Sequence, residues 1–467
     1  MSAGFRLDLL RGPAARLLLR QPWFPVAFQA LGLLGLGFLA FNGWGVGEAE
    51  TPARLLVLRK TNLTTLVVWG LWWPAMIGLA LALGRAWCTV CPMELASRLG
   101  HGLGRRLGTA RLRLPRWMRA GWSVLAAYLL LQLLVAGVSL HRVPHLTSLM
   151  LVGLLALAGL AGALFAEERA FCKGLCPSAA LLSVYGRHTP LQLDVRSPES
   201  CAACVGKDCV RADRRERFDA RSCPSLLRPF ARAPSDGCVL CLQCAKTCPH
   251  DNVGLGLAAR TAKSRRPALL APAEAAFVAL AAGFVAHEVI GEVKWLDGLF
   301  HAAPAALARA APAVGFGGFE ALWFLVLFPA MLWSLVAALA WALGHRGRLG
   351  ELLLAAATGA APIVAIAHLA KAGAKLTSWA GFLPLALRDP AGERTLEHLA
   401  SEPTALPAAL LQLPLVGWLA TGLLLLVGLR AWRAAREAAP RHRSAAAAGF
   451  GVATALFGGV LTVWIGG

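Results

Sequence analysis

Apolar positions along this chain do not alternate with polar ones; they gather into long runs separated by short, Arg-rich stretches. Nine runs reach the ~20 residues that a helix needs to cross a hydrocarbon core, near 24–45, 64–84, 120–140, 146–166, 268–290, 319–343, 351–370, 405–428 and 445–465. The pattern predicts an α-helical polytopic membrane protein of about nine transmembrane helices. One sizeable polar segment interrupts it. That segment predicts three domains: 1–177 as an N-terminal membrane domain of four spans, 178–267 as a small inserted α+β domain, and 268–467 as a C-terminal membrane domain of about five spans.

Composition supports the membrane reading, with 57% hydrophobic and only 15% charged residues. The charge is one-sided: 46 Lys and Arg stand against 25 Asp and Glu, a net charge of +21. In a chain with apolar spans this bias reads as loops obeying the positive-inside rule, and no nucleic-acid partner is expected. Arg6, Arg11, Arg16 and Arg20 place the N-terminus in the cytoplasm, and the loop with Arg98, Arg105, Arg106, Arg111, Arg113, Arg116 and Arg119 lies on the same side. Nine spans then put the C-terminus in the periplasm. Arg54, Arg59 and Lys60 run against this assignment. The basic start before the first run imitates a signal peptide, but no small-residue cleavage site follows near "FNGWGVGEAE", so the span is expected to be retained.

All twelve cysteines lie between Cys88 and Cys248. The strongest motif is Cys238-x2-Cys241-x2-Cys244-x3-Cys248-Pro249, the run that in bacterial ferredoxins holds one 4Fe-4S cluster with three thiolates and lends the fourth to its neighbour. Cys201-x2-Cys204-x4-Cys209 supplies a second set of three, and Cys223-Pro224 a remote fourth. The exchange rule predicts one cluster on Cys201, Cys204, Cys209 and Cys248, and another on Cys238, Cys241, Cys244 and Cys223. A zinc ribbon is the competing reading. The inserted domain has too little apolar content for a large core, so bound metal is expected to supply much of its stability.

Two further pairs follow apolar spans: Cys88-x2-Cys91-Pro92 and Cys172-x3-Cys176-Pro177, each preceded by an Arg-Ala-aromatic triplet. Four thiols at one membrane face predict a third cluster there, against a disulfide switch, a transient copper site or separate structural thiols. In the Cys-free second half, His287 and His368 fall at similar depth near the outer face. They are candidates for a quinone site, with Glu288 and Lys371 as hydrogen-bond and proton partners, or for haem b ligation. The plainer reading is that interfacial His, Lys and Trp anchor helix ends, with Lys294, Lys371 and Lys375 snorkelling and His141 and His145 at the rim. Arg211, Arg214, Arg215 and Arg217 form a basic run on the inserted domain, read as a solvated face or as a dock for an acidic donor or anionic lipid.

Two Cys-Pro motifs at helix ends, followed by an inserted two-cluster domain, resemble the NosR/NapH-type membrane polyferredoxins, to which the oxidase-assembly protein CcoG is related. The likeness runs from about residue 60 to 255. It implies a ferredoxin-like inserted domain in an inner-membrane, multi-pass protein. Such a protein would move electrons between the quinone pool, or a cytoplasmic donor, and a respiratory or periplasmic redox partner. The alternative is an assembly or regulatory factor that reduces or senses a metal for a periplasmic or membrane oxidoreductase. By motif position the resemblance carries over Cys88, Cys91, Cys172 and Cys176, then Cys201, Cys204, Cys209 and Cys223, then Cys238, Cys241, Cys244 and Cys248. The chain departs from the pattern in the x2 spacing of its first Cys-Pro motif and in its five later spans. The large flavin-binding domain of the NosR type has no counterpart.

Overall fold

The computed structural model describes residues 5–187, 189–211, 213, 220–225, 227–230, 237–258, 269–402 and 406–466. Arg214, Arg215 and Arg217 of the basic run, and 259–267 of the predicted inserted domain, lie outside the described residues, as do the side chains of Arg6 and Arg16. Among the described residues, eight helical segments are long and apolar enough to cross a membrane: Val26–Gly43, Leu63–Leu107, Pro144–Leu164, Pro272–Ile290, Pro312–Ala342, Leu349–Arg388, Leu413–Glu437 and Pro440–Gly466. A shorter apolar helix, Trp122–Gly137, stands at the third predicted position. The chain is a polytopic helical membrane protein with a small α+β region.

The elements used below are, in chain order, β1 (Phe5–Asp8), α1 (Val26–Gly43), α2 (Pro92–Leu107), α3 (Trp122–Gly137), α4 (Pro144–Leu164), α5 (Ala170–Gly174), β2 (Leu191–Val195), α6 (Gln243–Thr247), β3 (Val253–Ala258), α7 (Pro272–Ile290), α8 (Leu349–Trp379) and α9 (Pro440–Gly466). The described chain forms two compact units.

The first unit comprises 1–38, 79–119 and 151–265. Its sheet has the order β1-β3-β2, antiparallel throughout, with Leu193 opposite Leu255 and Val195 opposite Val253. The apolar faces of β2 and β3 close over a core of Leu10, Phe24, Leu193, Leu240, Leu242, Ala245, Val253 and Leu255. An N-terminal strand therefore completes the sheet of the cysteine-rich segment. Asp8 secures that join: its Oδ2 accepts from Arg196 Nε at 2.7 Å and its Oδ1 from the Leu255 amide at 3.3 Å.

Helices α2 and α4 meet without side chains between them. A Cβ on Gly100 would stand 2.0 Å from the Gly159 carbonyl oxygen, on Gly104 2.2 Å from that of Ala163, and on Gly162 1.9 Å from that of Ser97. Small residues permit this backbone approach, the usual device where no hydrophobic gain drives helices together.

The second unit comprises 39–78, 120–150 and 266–467. Its centre is α8, Ala-rich and buried along most of its length, packed on α9 by the same device: a Cβ on Gly359 would lie 2.2 Å from the Ala446 oxygen, and one on Gly449 2.1 Å from that of Ala356. The three cations that oppose the positive-inside pattern all have partners here. Arg54 Nε pairs with Glu50 at 2.5 Å, while Arg59 lies 5.2 Å over the Trp379 ring and Lys60 5.5 Å over that of Phe382. Cation–π contact gives them a packing role independent of loop orientation.

Gly162→Ala is expected to cost about 1–3 kcal/mol through overpacking, read as a lower unfolding midpoint in detergent. Gly102→Ala on the same helix, where a Cβ would meet nothing within 4 Å, is expected to raise the midpoint slightly, since Ala is about 0.5–1 kcal/mol better than Gly in a helix interior.

Candidate metal centre

Backbone breaks position the first group of thiols. Cys88 sits on a single helical turn, Trp87–Val90, and Cys91 is extended (φ −67°, ψ 126°), with Pro92 opening α2 as its first residue. Proline is pre-organised for that position and lacks the N–H that a helix start leaves unpaired. The second Cys-Pro motif does likewise: α5 carries Cys172 and ends at Gly174, and the Cys176 amide folds back onto the Phe171 oxygen at 2.9 Å. Cys91 has Cys172, Cys176 and Cys88 as electrostatic neighbours. Burial pushes the Cys176 thiol up to about 12, reinforced by Cys172 and Cys88 and opposed by Arg85. Burial raises Cys172 too, against the Arg169 guanidinium beside it.

The remaining thiols form two further groups. Cys201, Cys204, Cys209 and Cys248 line one cavity together with Pro249 and Asn252. Cys209 is pushed up to about 11 by burial, then by Cys248 and Cys201. Asn252 organises this group, donating its backbone N–H to Cys248 Sγ at 3.3 Å and its side-chain Nδ2 to Cys201 Sγ at 3.2 Å and to the Ser197 oxygen at 2.6 Å. In the other group Cys241 is pushed up to about 12 by burial, with Cys223 and Cys238 as neighbours. Cys244, on α6, is buried in the core against which Cys209, Cys238 and Cys248 pack. All twelve thiols are free of disulfides.

A buried polar network joins the membrane-edge group to the Cys241 group. Glu94 on α2 accepts from Arg221 Nη2 at 2.7 Å and from Gln29 Nε2 at 2.8 Å, and both members of the ion pair are almost wholly buried. Arg169 has Cys172, Cys88, Glu94 and Cys241 as electrostatic neighbours, which hold its guanidinium charged despite the burial that opposes it. One nitrogen donates to Ser225 Oγ at 2.7 Å, while Nε and Nη2 have no hydrogen-bond partner among the described residues. Buried donors without acceptors are costly, and here they stand among thiols.

The strained backbone collects at the same place. Of the six described non-glycine residues with positive φ, five flank the cysteine motifs: Arg169 (60°), Lys207 (42°), Leu240 (56°), Leu242 (58°) and Asp251 (46°). Such conformations cost energy and collect at functional sites. Soft thiol donors in groups, partial burial and an under-satisfied cation together fit an anionic iron–sulfur group.

The histidines of the second unit have separate surroundings. His368 lines a small cavity with Trp69, Trp73, Gln132, His141, Phe284, Glu288, Lys371 and Lys375. Lys371 Nζ is 2.6 Å from Glu292 and 3.4 Å from Glu288. His287 stacks on Phe324, centroids 4.6 Å apart, and its Nδ1 is 3.0 Å from His301 Nε2.

Two curated proteins match. The "Methylamine utilization ferredoxin-type protein MauN" of Paracoccus denitrificans (strain Pd 1222) is 28% identical over 193 residues, covering 38% of this chain and 61% of the relative. The "Putative electron transport protein YccM" of Escherichia coli (strain K12) is 26% identical over 254 residues, covering 49% of this chain and 61% of the relative. The chain is similar to ferredoxin-type electron-transport proteins. It spans about three fifths of the length of these two relatives. No family model and no solved structure matches.

Sequence reasoning did not single out Glu94, Arg221, Gln29, Asn252 or His301. A signal for the basic residues was present: Arg85 and Arg169 open the two Arg-Ala-aromatic triplets, and the structure sets Arg85 beside Cys176 and Arg169 beside Cys172.

Glu94→Gln leaves Arg221 and Arg169 without their carboxylate and is expected to cost about 3–5 kcal/mol, measured as a lowered unfolding midpoint. Asn252→Ala costs about 1–3 kcal/mol and, by removing the hydrogen bond that favours the Cys201 thiolate, is expected to lower the alkylation rate of Cys201 at neutral pH in the metal-free protein.

Proposed function

We propose that this chain is an inner-membrane electron-transfer protein holding three 4Fe-4S clusters, on Cys201, Cys204, Cys209 and Cys248, on Cys238, Cys241, Cys244 and Cys223, and on Cys88, Cys91, Cys172 and Cys176. The observation that carries the reading is the gathering of the thiols into groups with Arg169 between two of them. Its likeness to proteins named for ferredoxin-type and electron-transport roles supports it. When bound, such clusters supply one-electron storage and transfer at potentials tuned by charge, hydrogen bonds and burial.

The chain's own residues set those conditions. Arg169, Arg85 and Arg221 offset negative charge in a buried setting, and Asn252 donates hydrogen bonds to two thiolate sulfurs, which favours the more reduced state. The membrane-edge thiols are partly buried, which limits their contact with water. The deprotonated thiolates this ligation requires are disfavoured by burial alone, so loading metal displaces their protons.

The electron source in this proposal is a quinol in the cavity at His368. The cavity is smaller than a quinol ring, so its aromatic walls would have to part to admit one; His368, Glu288, Lys371 and Lys375 form a set of groups able to bind its oxygens and accept its protons as it is oxidised. A redox protein on the far side of the membrane would receive the electrons.

Anaerobically purified protein is expected to contain about twelve irons per chain, and Cys91→Ser with Cys176→Ser about eight. A short-chain quinol is expected to bleach the cluster absorbance rapidly, and His368→Ala to slow this about 10²-fold or more, the range typical of losing one positioned acid–base group. Equimolar zinc with little iron would overturn the cluster assignment; reduction of added copper ions without bleaching by quinol would favour the assembly role.

A further inference from the structure

Apart from the thiols and the His368 cavity, three ligand-type side chains converge at the end of α7. His287, in the last turn of α7, His301, between the helices Lys294–Phe300 and Ala302–Ala310, and Glu320, on the helix Gly315–Leu322, present one ligand atom each, all within 4.8 Å of one another. We infer that His287, His301 and Glu320 form a binding site for a first-row divalent transition metal ion, separate from the iron–sulfur groups and independent of the quinol reading.

The hydrogen bonding sets the chemistry. His301 Nδ1 lies 3.0 Å from the backbone oxygen of Asp297 and 2.9 Å from its Oδ1, both acceptors, so this nitrogen carries the proton. In the neutral ring Nε2 then offers a lone pair, and it faces the Glu320 carboxylate at 3.5 Å and His287 Nδ1 at 3.0 Å. Lone pairs of an imidazole and a carboxylate thus point at one spot with a single proton, on His287 Nδ1, available between them. A cation in place of that proton, which leaves or moves to His287 Nε2, satisfies all three donors together. Two imidazoles and one carboxylate select a transition ion over calcium or magnesium, with metal–nitrogen distances of about 2.0–2.1 Å, and leave coordination positions open.

The second layer has the form such sites use. Asp297 fixes the tautomer and orientation of His301, the carboxylate–histidine arrangement that raises ligand basicity. Phe324 stacks on His287 at an interplanar angle of 13°, and Phe300 and Phe316 lie against His301 with centroids 5.2 and 6.1 Å away. These rings fix both imidazoles and limit water. The His301 side chain is only 12% exposed, yet Glu320 at 21% keeps a route open for an ion.

The test is titration of full-length, cluster-loaded protein with cobalt(II) after removal of adventitious metal. One cobalt per chain is expected, with d–d absorption and no sulfur-to-cobalt charge-transfer band, which excludes the cysteines. His301→Ala, His287→Gln and Glu320→Gln should each weaken binding more than ~10-fold, and Asp297→Asn by about 10–100-fold as an outer-layer partner. His398→Ala, an exposed histidine of the same unit, leaves it unchanged. Each variant is checked for unaltered cluster absorbance and a monodisperse elution profile; for any that fails, Asp297→Asn, which keeps every ligand, decides. The inference is overturned if cobalt binds only with thiolate bands, if binding is unchanged in folded His301→Ala and Asp297→Asn, or if calcium displaces the cobalt.

Discussion

Glu94 is a carboxylate with almost no water around it, and a charge so placed must be matched or neutralised. Arg221 and Gln29 match it through direct hydrogen bonds, with Arg169 as a further cation nearby. Within its unit this ties α1, α2 and the segment that carries Cys223 to one point. The thiol groups inherit their placement from that tie. Arg169, itself in a left-handed backbone conformation, has both Cys172 and Cys241 as well as Glu94 among its electrostatic neighbours.

Helix breaks and helix contacts serve the same end. The turn at Cys91 lets two helical pieces point thiols one way, with Pro92 starting the second piece at little cost. Glycines on α2 and α4 then allow a backbone approach that side chains would block. Such contact compensates for the missing hydrophobic drive between helices in lipid. Rigid ligands need little rearrangement when an electron arrives or leaves, as electron transfer requires.

The second unit uses buried charge differently. Glu288, Glu292 and Lys371 compensate one another around a cavity with aromatic walls, whereas His287, His301 and Glu320 converge as ligand atoms with one proton among them. Two sites of different chemistry thus share the last turn of α7. His287 and Glu288 are adjacent in sequence, but on a helix adjacent residues point about 100° apart and do not face each other.

Hydrophobic run length alone determined that the chain is a polytopic helical membrane protein, because a bilayer imposes a fixed span and forbids unpaired backbone. Spacing alone marked the twelve thiols as candidate ligands, since local motifs need only a few residues of loop to bring donors together. What spacing could not show was the company they keep: Arg169, Glu94, Arg221 and Asn252 come from segments far apart in sequence, and β1 joins the sheet from the N-terminus. His301 was invisible for the same reason, lying 14 residues from His287 across a turn that composition does not reveal. The membrane and the local motif are short-range or one-dimensional constraints and can be read from the chain. Buried charge matching is long-range, and only the tertiary structure decides which partner each group finds.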